Sequence, residues 1–326
     1  MRRFKEIDIL KGLGIILMIM GHQYYGVGFD KWIHAFHMPM FFIISGFLYR
    51  RPSVIRKSIC NKVKSLLIPY AFFAGIHLFI MSAKTLILGG SSKTLFQYVY
   101  HILVVNTEGM PICGAIWFLT ALFFSTIIFI LIDSYIHQSV LKVLCILLFI
   151  SAGLIIPSLG YRLPLALDVS FVGIGLLFVG KMLRSIYEKV QKVQLRGSLL
   201  IGTLGVLLCT ITININSSVN LRLGLYGNGA WFFVNAIVMT ISLYLLCYTL
   251  SKHENYIVKE ISFIGKNSIV YLGLNQFILI FFKKISVDNL YIGLLVKIVS
   301  LVLCLFVLHI ITNLIVNSRA KQLIGK

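Results

Sequence analysis

The sequence predicts an all-α polytopic integral membrane protein, with about ten transmembrane helices in a single bundle, and three observations predict it. Hydrophobic residues make up 59% of the 326 positions and charged residues only 12%, with a mean hydropathy of +0.94. A soluble domain of this size cannot hide so much apolar surface. The apolar runs recur at about 20 residues, the length that crosses a bilayer as a helix. The basic residues gather in alternate segments between those runs. The formal net charge of +20 would suggest nucleic acid in a soluble protein. Here it follows from topology, because Lys and Arg mark cytoplasmic loops, and no nucleic-acid partner is expected.

Ten spans are expected in order: about 7–26, 33–50, 64–82, 113–132, 140–157, 167–186, 197–215, 229–250, 263–282 and 291–316. The first carries Asp8, Lys11 and His22 inside an apolar run. The second is short, enters through His34 and His37, and leaves through Arg50 and Arg51. The third follows a densely basic stretch from Arg50 to Lys64. The fourth opens near Trp117, after the longest loop, about 83–112. Within that loop Leu95, Phe96, Tyr98, Val99, Ile102 and Leu103 outline an amphipathic helix at the interface. The remaining spans are uniformly apolar, with Lys297 placed to snorkel out of the tenth. No linker, repeat or low-complexity tract interrupts residues 1–326, which read as one membrane domain without a separate soluble part. The missing repeat weighs against a transporter.

Ten spans put both termini on one side. Twenty-one of the thirty Lys and Arg then fall at ends on that side, against seven in the opposite loops. This asymmetry places both termini in the cytoplasm of a plasma (inner) membrane protein. Arg2, Arg3 and Lys5 precede the first run as in a signal peptide. The charges within the run and the missing small-residue cleavage pattern predict an uncleaved span. The six cysteines (Cys60, Cys113, Cys145, Cys209, Cys247, Cys304) stand singly in or beside apolar runs, as small hydrophobes and not as a disulfide frame or metal site.

The first span is the richest in chemistry. Lys11 and His22 are eleven residues apart, nearly three whole helical turns, so they share one face about 16 Å apart. Asp8, three residues before Lys11, joins that face. Lipid contact with three such groups is costly, so the face should line a protein interior or a wet cavity. A neutral imidazole at His22 can act as a general base toward a poorly nucleophilic group. Lys11 can hold an anionic donor group or snorkel to headgroups, with Asp8 as its partner. Ser45 and Gly46 either let helices pack closely or leave room for a thin donor arm. Arg50 and Arg51 are topogenic and lipid-binding charges that can also hold donor phosphates. His34, His37 and Trp117 suit an acceptor side, and each is also at home at a membrane interface.

The series Lys11-x10-His22, Phe36-His37-Met38-Pro39-Met40-Phe41-Phe42-Ile43-Ile44-Ser45-Gly46-Phe47, Trp117-Phe118-Leu119, Asn220 with Tyr226-Gly227-Asn228, and Ile264-Gly265-Lys266-Asn267-Ser268 resembles, in this order, the membrane acyltransferase family 3. The Asp8-Ile-Leu-Lys-Gly opening is similar to the branch of fucose 4-O-acetylase-like acetyltransferases. The resemblance implies transfer of an acetyl or similar group from cytoplasmic acetyl-CoA (or another acyl-CoA), without a metal. The acceptor it implies is a hydroxyl of a surface glycan or lipid-linked saccharide, beside polysaccharide synthesis proteins. It assigns the catalytic role to His22. Lys11 replaces the family's arginine, keeping the charge but losing the bidentate fork. Asn275 stands near a position where many relatives carry histidine; an amide can orient a substrate but not shuttle a proton.

Two rival readings remain at this level. One is a polysaccharide exporter or flippase, which needs no base in line with a buried cation. The other is succinyl or N-acyl transfer to a glycan, which differs only in pocket shape.

Overall fold

The computed structural model describes residues 4–191, 194–282, 285 and 289–326. Of the basic residues counted above, Arg2, Arg3, Lys192, Lys283 and Lys284 lie outside the described residues. The helices in chain order are α1 (Lys5–Gly21), α2 (Val27–His34), α3 (His37–Phe47), α4 (Ile55–Lys62), α5 (Ile68–Ile87), α6 (Ser92–Leu103), α7 (Trp117–Tyr135), α8 (Ser139–Ser158), α9 (Leu167–Gln191), α10 (Leu195–Thr212), α11 (Gly229–Leu250), α12 (Tyr256–Lys266), α13 (Ser268–Leu279) and α14 (Leu290–Val316). A single π turn, Val63–Leu67, joins α4 to α5. The described residues form no β-sheet; an isolated bridge pairs Asn220 with Leu225. The protein is an all-α polytopic membrane protein.

Among the described residues seven helices are long and apolar enough to cross a membrane: Ile55–Ile87, Gly114–Tyr135, Ser139–Ser158, Pro164–Ser185, Leu195–Thr212, Gly229–Leu250 and Leu290–Val316. The expected count of ten is therefore not reproduced, and the difference lies in three places. The first span stops at Gly21, a helix of 17 residues. The second breaks at Ala35–Phe36, where Phe36 has φ −142°. Pro39 explains that break: in one continuous helix it could not donate to the carbonyl of Ala35 and its ring would strike it. In the first turn of α3 its missing N–H costs nothing. The ninth breaks at Asn267, which has φ −117° and whose side-chain amide donates to the carbonyl of Phe263 at 2.8 Å, a local bond that competes with helix continuation. The helix expected at 94–105 is present as α6, with Phe96, Tyr100 and Leu103 exposed.

The chain forms two compact units, residues 1–50 with 173–268 and residues 51–172 with 269–326. In the first, α1 is a central helix: Ile9, Leu10, Ile15 and Ile19 are all at most 1% exposed. Glycines let its neighbours reach its backbone. A Cβ at Gly12 would collide with the carbonyl of Ile261 on α12, and one at Gly265 with the carbonyl of Asp8. Gly14 is covered by Met40 and Phe41 of α3. In turn α3 lies against α9, with Gly46 on the backbone of Leu177 and Gly180 on that of Ile43. Close approach through small residues is the usual way helices associate in lipid, where apolar contact alone gives little preference for protein over lipid.

In the second unit the chain between α6 and α7 is folded inward. Asn106 is fully buried, and Met110, Ile112 and Cys113 are at most 3% exposed. Side chains hold part of it: Asn106 Nδ2 donates to Thr120 Oγ1 at 2.8 Å and to the Tyr70 hydroxyl at 3.3 Å, and Gly114 N donates to Gln276 Oε1 at 2.5 Å. Two buried carboxylates have basic partners, Asp133 with Lys142 at 2.7 Å and Asp168 with Arg162 at 2.6 Å, as burial of charge demands.

Candidate active site

Three candidate residues ride on α1. Asp8, Lys11 and His22 are each half-buried, and helix geometry runs unbroken from the first to Gly21, with His22 as the capping residue, its N–H bonded to the carbonyl of Met18. The spacing of about 16 Å between Lys11 and His22 therefore holds. After His22 the chain turns sharply, through Tyr24 at φ 54° and Gly26 at φ 115°. The left-handed region is costly for a tyrosine, and such strain persists only where the surroundings enforce it.

That turn brings α2 and α3 back against the end of α1. A Cβ at Gly21 would lie 3.6 Å from Ile33 Cγ2 and 4.0 Å from His34 Cε1. The rings of His34 and His37 meet edge to face at 5.1 Å. Three histidines from three elements thus gather at one end of the first unit. His37 is only 5% exposed. Its Nδ1 is 2.7 Å from the carbonyl of Ile33, and the Nδ1 of His34 is 2.8 Å from the carbonyl of Asp30. A carbonyl only accepts, so Nδ1 carries the hydrogen in both rings, and a neutral ring keeps its lone pair on Nε2. This arrangement can accept a proton from a hydroxyl and hold it.

The other end of α1 is aromatic and basic. Phe4 packs on Phe47 at 5.7 Å and on Tyr187 at 5.3 Å. Arg184 donates to the carbonyl of Phe47 at 3.0 Å and lies over the rings of Phe4 and Phe47. Tyr187 donates to Glu6 Oε1 at 2.7 Å. Beside them is an apolar cavity of about 240 Å³ whose walls include Ile7, Leu10, Ile43, Phe47 and Tyr244. The basic end and the histidine end are separated by the length of α1, about 25 Å for its 17 residues.

Arg50 follows α3 and is exposed. Arg51 belongs to the second unit, where it donates to the carbonyl of Ser134 at 3.0 Å and to His137 Nδ1 at 3.3 Å. Ser45 donates to the carbonyl of Phe41 at 2.8 Å. The backbone of Leu177 lies against Gly46, so of the two uses read from the sequence its small size serves helix packing at this contact. Trp117 and Asn275 lie in the second unit, 4% and 0% exposed. The Trp117 carbonyl accepts from Thr120. Asn275 gives its Nδ2 to the carbonyls of Tyr271 and Leu272 at 2.8 and 2.9 Å. Its buried Oδ1 has no hydrogen-bond partner.

Sequence reasoning passed over Glu6, Arg184 and Tyr187. Arg184 reads as one more topogenic charge, and its contact with Phe47 spans 137 residues, a separation no local signal reports. It also overlooked Gln276, beside Asn275. The motif asparagines prove to be caps: Asn228 Oδ1 accepts from Ala230 N and Trp231 N at the start of α11, and Asn220 Oδ1 from Leu223 N. Among the described residues no three His, Cys, Asp or Glu are arranged to hold a metal ion.

Part of the chain is similar to a named protein, the nodulation protein NolL of Mesorhizobium japonicum, at 28% identity over 150 residues. The match covers 41% of this chain and 37% of that one, so it spans well under half of the relative's length. No solved structure matches. The family described as "Acyltransferase domain" matches residues 4–314, from the residue before α1 nearly to the end of α14. The chain therefore belongs to the acyltransferase 3 family.

Proposed function

We propose that this membrane acyltransferase transfers acetyl from acetyl-CoA to a hydroxyl of a surface or lipid-linked polysaccharide sugar, with His22 as general base. The observation that carries the reading is the grouping of His22, His34 and His37 at the end of a buried helix that also bears Lys11. His22 removes the proton of the sugar hydroxyl as its oxygen attacks the thioester carbonyl. The tetrahedral intermediate collapses, the C–S bond breaks, and the thiolate takes up a proton to leave as coenzyme A. His37, with Nδ1 tied to Ile33, and His34 border the acceptor hydroxyl. Lys11 supplies a cation on the donor side, and Arg50 and Arg51 are candidates for the donor phosphates. The protein resides in the plasma (inner) membrane with both termini in the cytoplasm.

The test is His22→Ala, scored by the O-acetyl content of surface polysaccharide in cells that express and insert the variant normally. Loss of a positioned base lowers the rate about 10²- to 10⁴-fold, so acetylation should fall to background. A full acetyl level in the variant would discard His22 as the base.

A further inference from the structure

On the first unit a second feature has the chemistry of a binding site. A groove of about 520 Å³ lies between α2 and the end of α10, lined by Gly28, Phe29, Trp32, Thr210, Ile213 and Asn214. Its volume is in the range that holds small ligands. A Cβ at Gly28 would meet open space, so the groove is accessible there. Phe29 and Trp32, one turn apart on α2, present rings inclined by only 23° with centroids 6.0 Å apart. Ile213 is buried beneath them, while Thr210 and Asn214 are exposed.

We propose that this groove is a saccharide subsite, which holds a part of the acceptor chain remote from the hydroxyl that is modified. The inference rests on the reading of the acceptor as a saccharide. Sugar rings offer a face of C–H bonds that stacks on aromatic rings and an edge of hydroxyls that needs donors and acceptors, and the groove supplies both. Asn214 spends one N–H on the carbonyl of Thr210 at 3.3 Å, which leaves its Oδ1 and its second N–H for hydroxyls. Lys31 Nζ reaches the carbonyl of Asn214 at 3.4 Å and adds a cation at the rim.

An aromatic pair on a membrane protein is more commonly an interfacial anchor, whose Trp N–H points to headgroups and water. Here the Trp32 N–H is used internally, donating to Thr210 Oγ1 at 3.0 Å. That bond fixes the indole against α10, with Phe36 packed edge to face on it at 4.8 Å, and turns its polar tip inward, while the half-buried ring lines the groove with Phe29. The placement also suits an acceptor chain. From Phe29 to His34 is about 7.5 Å along α2, and the two lie on different sides of a helix about 10 Å across. One saccharide chain passing over the end of α2 would touch both, with the reacting ring at the histidines and a distant ring in the groove. Binding energy of this remote kind supports reaction elsewhere on the same substrate.

The test compares wild type with Trp32→Ala, Phe29→Ala and Trp32→Phe in lipid nanodiscs, with acetyl-CoA as donor. The acceptors are monosaccharides and longer oligosaccharides, both released by mild acid from the surface polysaccharide of the producing cell. The two alanine variants should raise KM for the oligosaccharides about tenfold each and leave monosaccharides, too short to reach the groove, unchanged. Trp32→Phe should restore most of the loss, and the oligosaccharides should quench tryptophan fluorescence in wild type but not in Trp32→Phe. Should Trp32→Ala fail to fold, Asn214→Ala and Phe29→Ala carry the comparison. Oligosaccharides that are acetylated with KM unchanged in every variant would overturn the subsite and return the pair to the role of bilayer anchor. Oligosaccharides that quench Trp32 in a protein that acetylates none of them would keep the subsite and overturn the acetyl-transfer reading.

Discussion

Lys11 is the residue whose role its surroundings define least by sequence alone. It is half-buried one turn after Asp8, on the face that ends at His22. A snorkelling lysine and a donor-binding lysine differ in what substitution does. As a cation facing the donor it tolerates arginine, which keeps the charge and adds a fork for phosphate or carboxylate. Lys11→Arg should therefore retain most acetyl transfer, while Lys11→Ala should lose at least tenfold in kcat/KM with acetyl-CoA. Steady-state kinetics on the purified protein decides it, and an alanine variant with wild-type kinetics would reduce Lys11 to an anchor. At the same scale, the histidines show how far sequence reaches. His22 stood out from its spacing to Lys11. That His37 donates through Nδ1 to Ile33, and so presents Nε2, depends on a turn of backbone that no residue type specifies.

Among the elements α1 tolerates little change where α12 touches its backbone. Gly12 meets Ile261 of α12 and Gly265 meets Asp8 of α1, so the motif Gly265-Lys266-Asn267-Ser268 includes a packing residue. Adding one methyl at either site forces the helices apart, and overpacking of this kind costs about 1–3 kcal/mol. Gly12→Ala and Gly265→Ala should each lower the midpoint of thermal unfolding in detergent. Gly75→Ala is the control: it sits in α5 where a Cβ meets open space, and alanine favours helix by about 1 kcal/mol, so it should be neutral or stabilising. Equal midpoints for all three would mean that α1 and α12 do not approach so closely. The same reasoning makes Gly46→Leu a probe of the seat of α3 on Leu177. The breaks at Ala35–Phe36 and Asn267 were legible only in part, through Pro39 and the asparagine. Hydropathy averages across a break, since the residues on both sides are equally apolar.

For the molecule as a whole, the charge asymmetry of the ten-span reading makes a prediction about orientation. Twenty-one basic residues lie on one side against seven on the other when both termini are cytoplasmic, and such a bias sets orientation. A fluorescent protein fused after Lys326 should therefore fold and fluoresce, and alkaline phosphatase at the same site should be inactive. Phosphatase inserted near Gly89, in the loop between α5 and α6, should be active. The reverse pattern would invert the protein and, for the function proposed above, put the donor on the wrong side of the site. Each of the two compact units is made of segments far apart in the chain.

By itself the sequence determined the all-α membrane architecture, the spacing of Asp8, Lys11 and His22 along the first helix and the family resemblance. These rest on composition, on a period of 3.6 residues and on motifs in order, all of which are local. Only the tertiary structure decided that α1 is a central helix surrounded by others, that His34 and His37 close on the end where His22 lies, and that Arg184 seats on Phe47. It alone set Gly46 against Leu177 and paired Trp32 with Thr210. The physical reason is that hydropathy reports that a side chain leaves water without naming the surface it meets. In lipid that choice falls to close backbone approach and to individual hydrogen bonds, which join residues more than a hundred positions apart.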